Sequence, residues 1–129
     1  MKICLISTWP PMQCGIGDFT YEIVKFMHKE HKDIDIYVIT YSHNNLNQLS
    51  SDYDNIKVFK ILRKNGVILN IIHLIRVLKK LKPDIIHLHI SYYLFPQIVL
   101  LTVIWYCIFY KCKLILTIHD VLPKKFFCN

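Results

Sequence analysis

Three apolar runs constrain this chain most. Ile3–Ser7, Asp84–His89 and Lys113–Ile118 are nearly continuous in hydrophobic residues and show no polar–apolar alternation. A strand with one wet face alternates, whereas a strand covered on both faces does not. Such runs belong to a parallel sheet with helices on both sides. The segments between them supply those helices. Asp18–His31 carries Phe19, Ile23, Phe26 and Met27 at helical spacing, and Val67–Lys82 puts Val67, Ile71, Leu74, Ile75, Leu78 and Leu81 on one face. Lys79, Lys80 and Lys82 crowd the end of that second helix, where the dipole favours cations, and Pro83 stops it. Pro96–Tyr110 reads as a third helix. Ile34–Thr40 and Ile56–Leu62 are rich in β-branched and aromatic residues and read as two further strands. Tyr41–Asp54, polar and rich in Asn and Ser, reads as a loop.

The resulting order is β-α-β-loop-β-α-β-α-β. Right-handed crossovers then predict an α/β fold, a doubly wound, Rossmann-like parallel sheet with strand order 3-2-1-4-5. The 129 residues form one domain, without a linker or an internal repeat. At 53% hydrophobic and 19% charged the chain can bury a core, which excludes a disordered or low-complexity protein. Sixteen Lys+Arg against nine Asp+Glu give a net charge of +7, and fourteen of the sixteen are Lys. Lysines spread along a chain suit a loose attraction to phosphates or to an anionic membrane surface. They suit base-edge reading poorly, because bidentate contacts favour Arg, so no nucleic-acid partner is expected.

Five Cys (Cys4, Cys14, Cys107, Cys112 and Cys128) form no Cys-x-x-Cys pair and leave one over, which points to a reducing, cytoplasmic setting. The apolar run at the amino terminus stops at Trp9-Pro10-Pro11, short of the ~7–15 residues of a signal-peptide core. Ile90–Tyr110 carries no charge, and its length approaches the roughly 20 residues of a membrane span. Ser91, Tyr92, Tyr93, Pro96 and Gln97 crowd its first third, so a buried or membrane-touching helix at Ile98–Tyr110 is expected instead.

In a doubly wound sheet, ligands bind beyond the carboxyl ends of the strands where the strand order reverses. Here that point lies between the first and fourth strands. The first empties into Pro10-Pro11-Met12-Gln13-Cys14-Gly15-Ile16-Gly17, the fourth ends in His87-Leu88-His89, and the fifth in Thr117-Ile118-His119-Asp120. Gly-x-Gly between a strand and a helix lets backbone amides approach an anion at the helix start. The dinucleotide fingerprint needs a third Gly where this chain has Thr20, which disfavours a nicotinamide site. The same glycines also fit a plain tight turn. His87 and His89 point to one side of a strand, but no Cys or carboxylate lies nearby at ligand spacing, so no metal is expected. A histidine alone on such a rim is more often a satisfied polar residue than a ligand. His28, His31 and His43 read as solvated and His73 as a helix-flank residue.

Three stretches carry a resemblance. Pro10-Pro11-Met12-Gln13-Cys14-Gly15-Ile16-Gly17-Asp18-Phe19-Thr20 resembles the amino-terminal signature of family 4 glycosyltransferases, which have the GT-B fold. Pro83-Asp84-Ile85-Ile86-His87-Leu88-His89 resembles that family's Pro-Asp-Val-Val-His-x-His strand, and Leu114-Ile115-Leu116-Thr117-Ile118-His119-Asp120 its Thr-x-His-Asp strand end. The three occur in the family's order and spacing. The resemblance implies a retaining transfer of a sugar from a nucleotide sugar, the co-substrate, to a glycan or lipid acceptor, with no cofactor and no required metal. It assigns a catalytic role to His119, hydrogen-bonded to the transferred sugar, and a substrate or donor-phosphate role to Gly15, Ile16, Gly17, His89 and Asp120.

The chain departs from the family in one respect. The family's enzymes have a second Rossmann-like domain that holds most of the nucleotide and carries Glu-x7-Glu. The one such spacing here, Glu22 to Glu30, falls on the first helix and reads as a solvated face. Residues 1–129 are therefore expected to be an incomplete amino-terminal, acceptor-side domain, inactive alone. Three readings stay open: a fragment or split half that works with a separate donor-binding chain, a non-catalytic binding or membrane-surface module, and a small protein anchored by 90–110. The expected location is cytoplasmic, with the membrane periphery as its variant.

Overall fold

The computed structural model describes residues 1–12, 14–42, 51–53, 56–91 and 97–120. In chain order the elements are β1 (Lys2–Ile6), α1 (Gly15–Glu30), β2 (Asp35–Tyr41), β3 (Ser51–Tyr53), β4 (Ile56–Leu62), α2 (Val67–Leu81), β5 (Ile85–Ser91), α3 (Gln97–Tyr110) and β6 (Lys113–Asp120). One sheet holds all six strands in the order β3-β4-β2-β1-β5-β6. Its five parallel strands stand in the expected order, 3-2-1-4-5, and the fold is Rossmann-like. β1 pairs with β2 from Lys2↔Asp35 to Ile6↔Ile39, and on its other side with β5 from Ile3↔Ile85 to Ile6↔Leu88. The chain thus builds outward from β1 in one direction, then returns and builds in the other.

The sixth strand is a correction. β3 lies inside the segment read as a loop and pairs antiparallel with β4, Ser51↔Val58 to Tyr53↔Ile56. A strand of three residues is too short for a period-two pattern to show in the sequence. Of the rest of that segment, Tyr41 ends β2 and Ser42 follows it, while residues 43–50, His43 included, and Asp54 lie outside the described residues, as do Pro96, Cys128 and 121–129.

Cys4, Ile6, Ile39, Leu62, Ile86 and Leu88 pack with Leu74, Leu78 and Leu81 of α2 and Val99, Val103 and Tyr106 of α3. On the opposite face Ile3, Leu5, Ile36, Val38, Ile56 and Val58 pack under Val24 of α1. The central strands therefore alternate between two dry layers, which explains their unbroken apolar character. The Tyr106 hydroxyl donates to the Leu78 carbonyl at 2.9 Å and ties α3 to α2. Pro83 follows the end of α2 as expected, with Lys82 closing the helix at φ 49°.

The buried face of α1 is rotated from the sequence reading, whereas that of α2 includes Leu74, Leu78 and Leu81 as expected. α1 starts three residues earlier, and its buried side is Gly17, Thr20 and Val24, while Phe19 and Phe26 are exposed. α2 buries Asn70, Leu74, Leu78 and Leu81 and leaves Val67 exposed. Hydrophobicity does not account for Asn70. Its carboxamide accepts from the Arg63 N–H and donates to the Arg63 carbonyl, both at 2.8 Å, tying the helix to the end of β4.

Ile90 and Ser91 close β5, so the uncharged stretch is divided between a strand and a helix. The 14 residues of α3 span about 21 Å, against the ~30 Å hydrocarbon core of a bilayer. Among the described residues no helix is long and apolar enough to cross a membrane.

Candidate functional site

The reversal point between β1 and β5 is built first by the residues at the carboxyl end of β1. Ser7 and Thr8 are fully buried directly after the strand. Cys14, in extended backbone geometry, caps α1: its sulfur accepts the Gly17 N–H at 3.2 Å and lies 3.0 Å from Thr8 Oγ1. The Cys14 carbonyl takes the Asp18 N–H at 3.1 Å. The amides of Gly15 and Ile16, among the first of the helix, have no partner among the described residues.

The glycines are therefore not a loop but the first turn of α1, and neither has a positive φ. A β-carbon on Gly17 would meet Cys14 Sγ at 3.4 Å and Met12 O and Thr8 Oγ1 at 3.5 Å, which is ordinary contact. Neither a tight turn nor backbone strain explains these residues. What Gly15 provides is open approach, since a β-carbon there meets nothing within 4 Å.

β5 and β6 bring the histidines to the same rim. His89↔Thr117 and Ile90↔Ile118 are paired, and a register shift then sets Ser91 against Asp120, leaving His119 as the extra residue. His87 Nε2 lies 2.8 Å from Thr117 Oγ1. The His87 and His89 ring centroids are 4.4 Å apart, and those of His89 and His119 5.2 Å. His119 Nε2 and Thr20 Oγ1 each lie 3.3 Å from His89 Nδ1. Phe19, half exposed, meets His119 edge-on at 5.7 Å and leans on His89 at 6.0 Å.

Burial, followed by the neighbouring His87 and His119, lowers the His89 pKa to about 4. Burial, followed by His119, lowers that of His87 as well. Both rings are thus biased toward the neutral form. Among the described residues no group of three or more His, Cys, Asp or Glu is arranged to hold a metal ion.

The structure thus brings Gly15, Ile16, Gly17, His89 and His119 to one rim. Asp120 closes β6 beside Ser91. Sequence reasoning missed Ser7, Thr8, Thr20 and the capping role of Cys14. The available signals were a Ser-Thr pair directly after a fully buried strand and a Thr where the dinucleotide fingerprint has Gly. A cleft of about 740 Å³ opens at the opposite end of the sheet, lined in part by Lys79, Lys82, Lys111 and Lys113. Lys79, Lys82 and Lys111 sit at the carboxyl ends of α2 and α3, where they answer the helix dipoles, and Lys113 opens β6, all far from the rim.

Helix-start amides without a partner among the described residues and imidazoles thus gather at the switch point of a Rossmann-like sheet, where such folds bind ligands. The chain belongs to Glycosyltransferase Family 4, whose model matches residues 14–128. Its function is of the glycosyltransferase type, with a sugar donor and an acceptor as substrates. A search of curated proteins finds none that matches.

Proposed function

We propose that this chain is the acceptor-side domain of a GT-B glycosyltransferase, acting in the retaining transfer of a sugar from a nucleotide sugar to a glycan or lipid acceptor. The observation that carries the reading is the convergence on one rim of the Gly15 and Ile16 amides, which have no partner among the described residues, and the His89–His119 pair. The amides at the start of α1 face the donor diphosphate, and the Gly17 amide is held by the Cys14 sulfur. His119 hydrogen-bonds the transferred sugar, with His89 behind it and Asp120 at the strand end. Catalysis of this kind works by positioning and charge stabilisation. Most of the nucleotide is held by a donor domain outside residues 1–129, and the chain alone does not turn over.

Titration of the ¹⁵N-labelled chain with a uridine and a guanosine diphosphate sugar tests this. The expected result is weak binding, roughly millimolar or −4 kcal/mol, with shifts at the Gly15 and Ile16 amides and the His119 ring and no sugar released. Gly15→Val is expected to fold, since its side chain enters open space, and to lose the amide shifts. Shifts confined to other regions, or turnover by the chain alone, would overturn the reading.

A second observation favours a cytoplasmic membrane surface as the place of work. Ile68 and Ile72 of α2 and Leu101, Trp105, Ile108 and Phe109 of α3 are exposed. An apolar groove lined by Ile71, Ile75, Leu101 and Trp105 joins the two helices. Lys79, Lys80, Lys82 and Lys111 stand at their carboxyl ends. An apolar face with a lysine flank fits an anionic lipid surface. Co-sedimentation with vesicles containing phosphatidylglycerol, and not with neutral ones, is the expected result.

A further inference from the structure

The hydroxyl of Thr20 has one proton and two lone pairs. It donates that proton to the Ile16 carbonyl at 2.7 Å, a group that can only accept. Ser7 Oγ, also 2.7 Å away, must then be a donor to Thr20. The remaining lone pair of Thr20 faces His89 Nδ1 at 3.3 Å. A bare nitrogen there would set two lone pairs against each other. A protonated Nδ1 satisfies Thr20, and the same N–H reaches His119 Nε2, also at 3.3 Å. Two equal, slightly long contacts are what one shared N–H produces.

His89 Nε2 supports the same assignment. It is buried and has no partner among the described residues, and His89 is fully buried. An orphaned N–H in such a place is rarer than an orphaned acceptor. His89 therefore carries its proton on Nδ1 and leaves Nε2 bare. His119 Nε2 must then accept, and the neutral His119 ring holds its own proton on Nδ1.

We propose that the chain from the Ile16 carbonyl through Thr20 and His89 fixes the tautomer of His119, so that this ring presents an N–H donor to the sugar. Thr20 and His89 are positioning residues and touch no substrate in this scheme. The assignment of the sugar to His119 rests on the function proposed above, whereas the place of the proton does not. The burial of His89 helps, because it disfavours a second proton on that ring.

Long-range ¹H–¹⁵N spectra of the labelled 129-residue chain near neutral pH read both tautomers directly. The expected result is an Nδ1–H pattern for His89 and for His119. Thr20→Val removes the acceptor and is expected to move His119 toward the Nε2–H form that a free imidazole prefers. Thr20→Ser keeps the hydroxyl and the wild-type pattern. A wild-type His119 protonated on Nε2 refutes the proposal, as does an unchanged pattern in Thr20→Val. If Thr20→Val fails to fold, the wild-type spectrum decides alone. These readouts need no glycosyl transfer, so failure here and failure of the functional reading are told apart.

Discussion

Acidification is expected to remove about 3 kcal/mol of stability between pH 6.5 and about 4, at roughly 1.4 kcal/mol per pH unit. The cause is His89, held near 4 in the fold against 6.5 for an exposed imidazole. Between those values the unfolded chain takes up a proton that the folded chain refuses, so stability rises with pH across the window. The contribution is complete above 6.5 and gone once the pH has fallen through about 4. His87, lowered by burial and by His119, adds in the same direction. A domain of this size is stable by only about 5–15 kcal/mol, so the loss is a large share. Urea midpoints at neutral pH and near pH 4 measure it. His89→Gln is expected to flatten most of the dependence. Equal midpoints for the wild type, or an undiminished slope in the variant, would show that the rim histidines are not held neutral.

The second large effect concerns association. Ile108 of α3 is 71% exposed and Ile118 of β6 58%, and Leu101, Phe109, Ile115 and Leu116 are exposed beside them on the same two elements. Among the described residues β6 has a strand neighbour on one side only. A strand whose centre, residues 114–118, is apolar and uncharged and whose edge is unpaired among the described residues is a template for pairing, and apolar patches of this kind are uncommon on soluble monomers. The purified chain is therefore expected to sediment as oligomers without detergent. Replacing Leu101 by Lys and Ile108 by Glu, both solvent-facing, is expected to shift the distribution toward monomer. A wild-type chain that stays monomeric at tens of micromolar would contradict this.

The sheet was legible in the sequence because unbroken apolar runs have few other uses. β1, β5 and β6 could be placed by that pattern alone, and the crossover rule then set their order. The helix faces were less legible. Phe19 and Phe26 fit the period of a buried stripe, yet Thr20 and Val24 face inward. A hydroxyl with Ser7, the Ile16 carbonyl and His89 as neighbours can be buried as readily as a ring. Asn70 entered the core for the same reason, through the Arg63 backbone. Hydrophobic periodicity is blind to polar groups that are satisfied pairwise after folding. The rim residues His89 and His119 could be read from strand ends, but their contact could not, because it depends on the register shift at Ile90/Ser91.

The cap on α1 has a consequence for charge balance. With the Gly17 amide taken by Cys14 sulfur, the start of the helix offers an incoming ligand the Gly15 and Ile16 amides and a dipole worth about half an elementary charge. Around them stand the hydroxyls of Ser7 and Thr20, an imidazole at His89 that resists protonation, and the carboxylate of Asp18 in the first turn. A diphosphate brings far more negative charge than these groups neutralise. On the function proposed above, this rim aims the phosphates, and the charge left over is balanced by cations from another source. On that reading orientation and retention fall to different surfaces, of which this rim is the first.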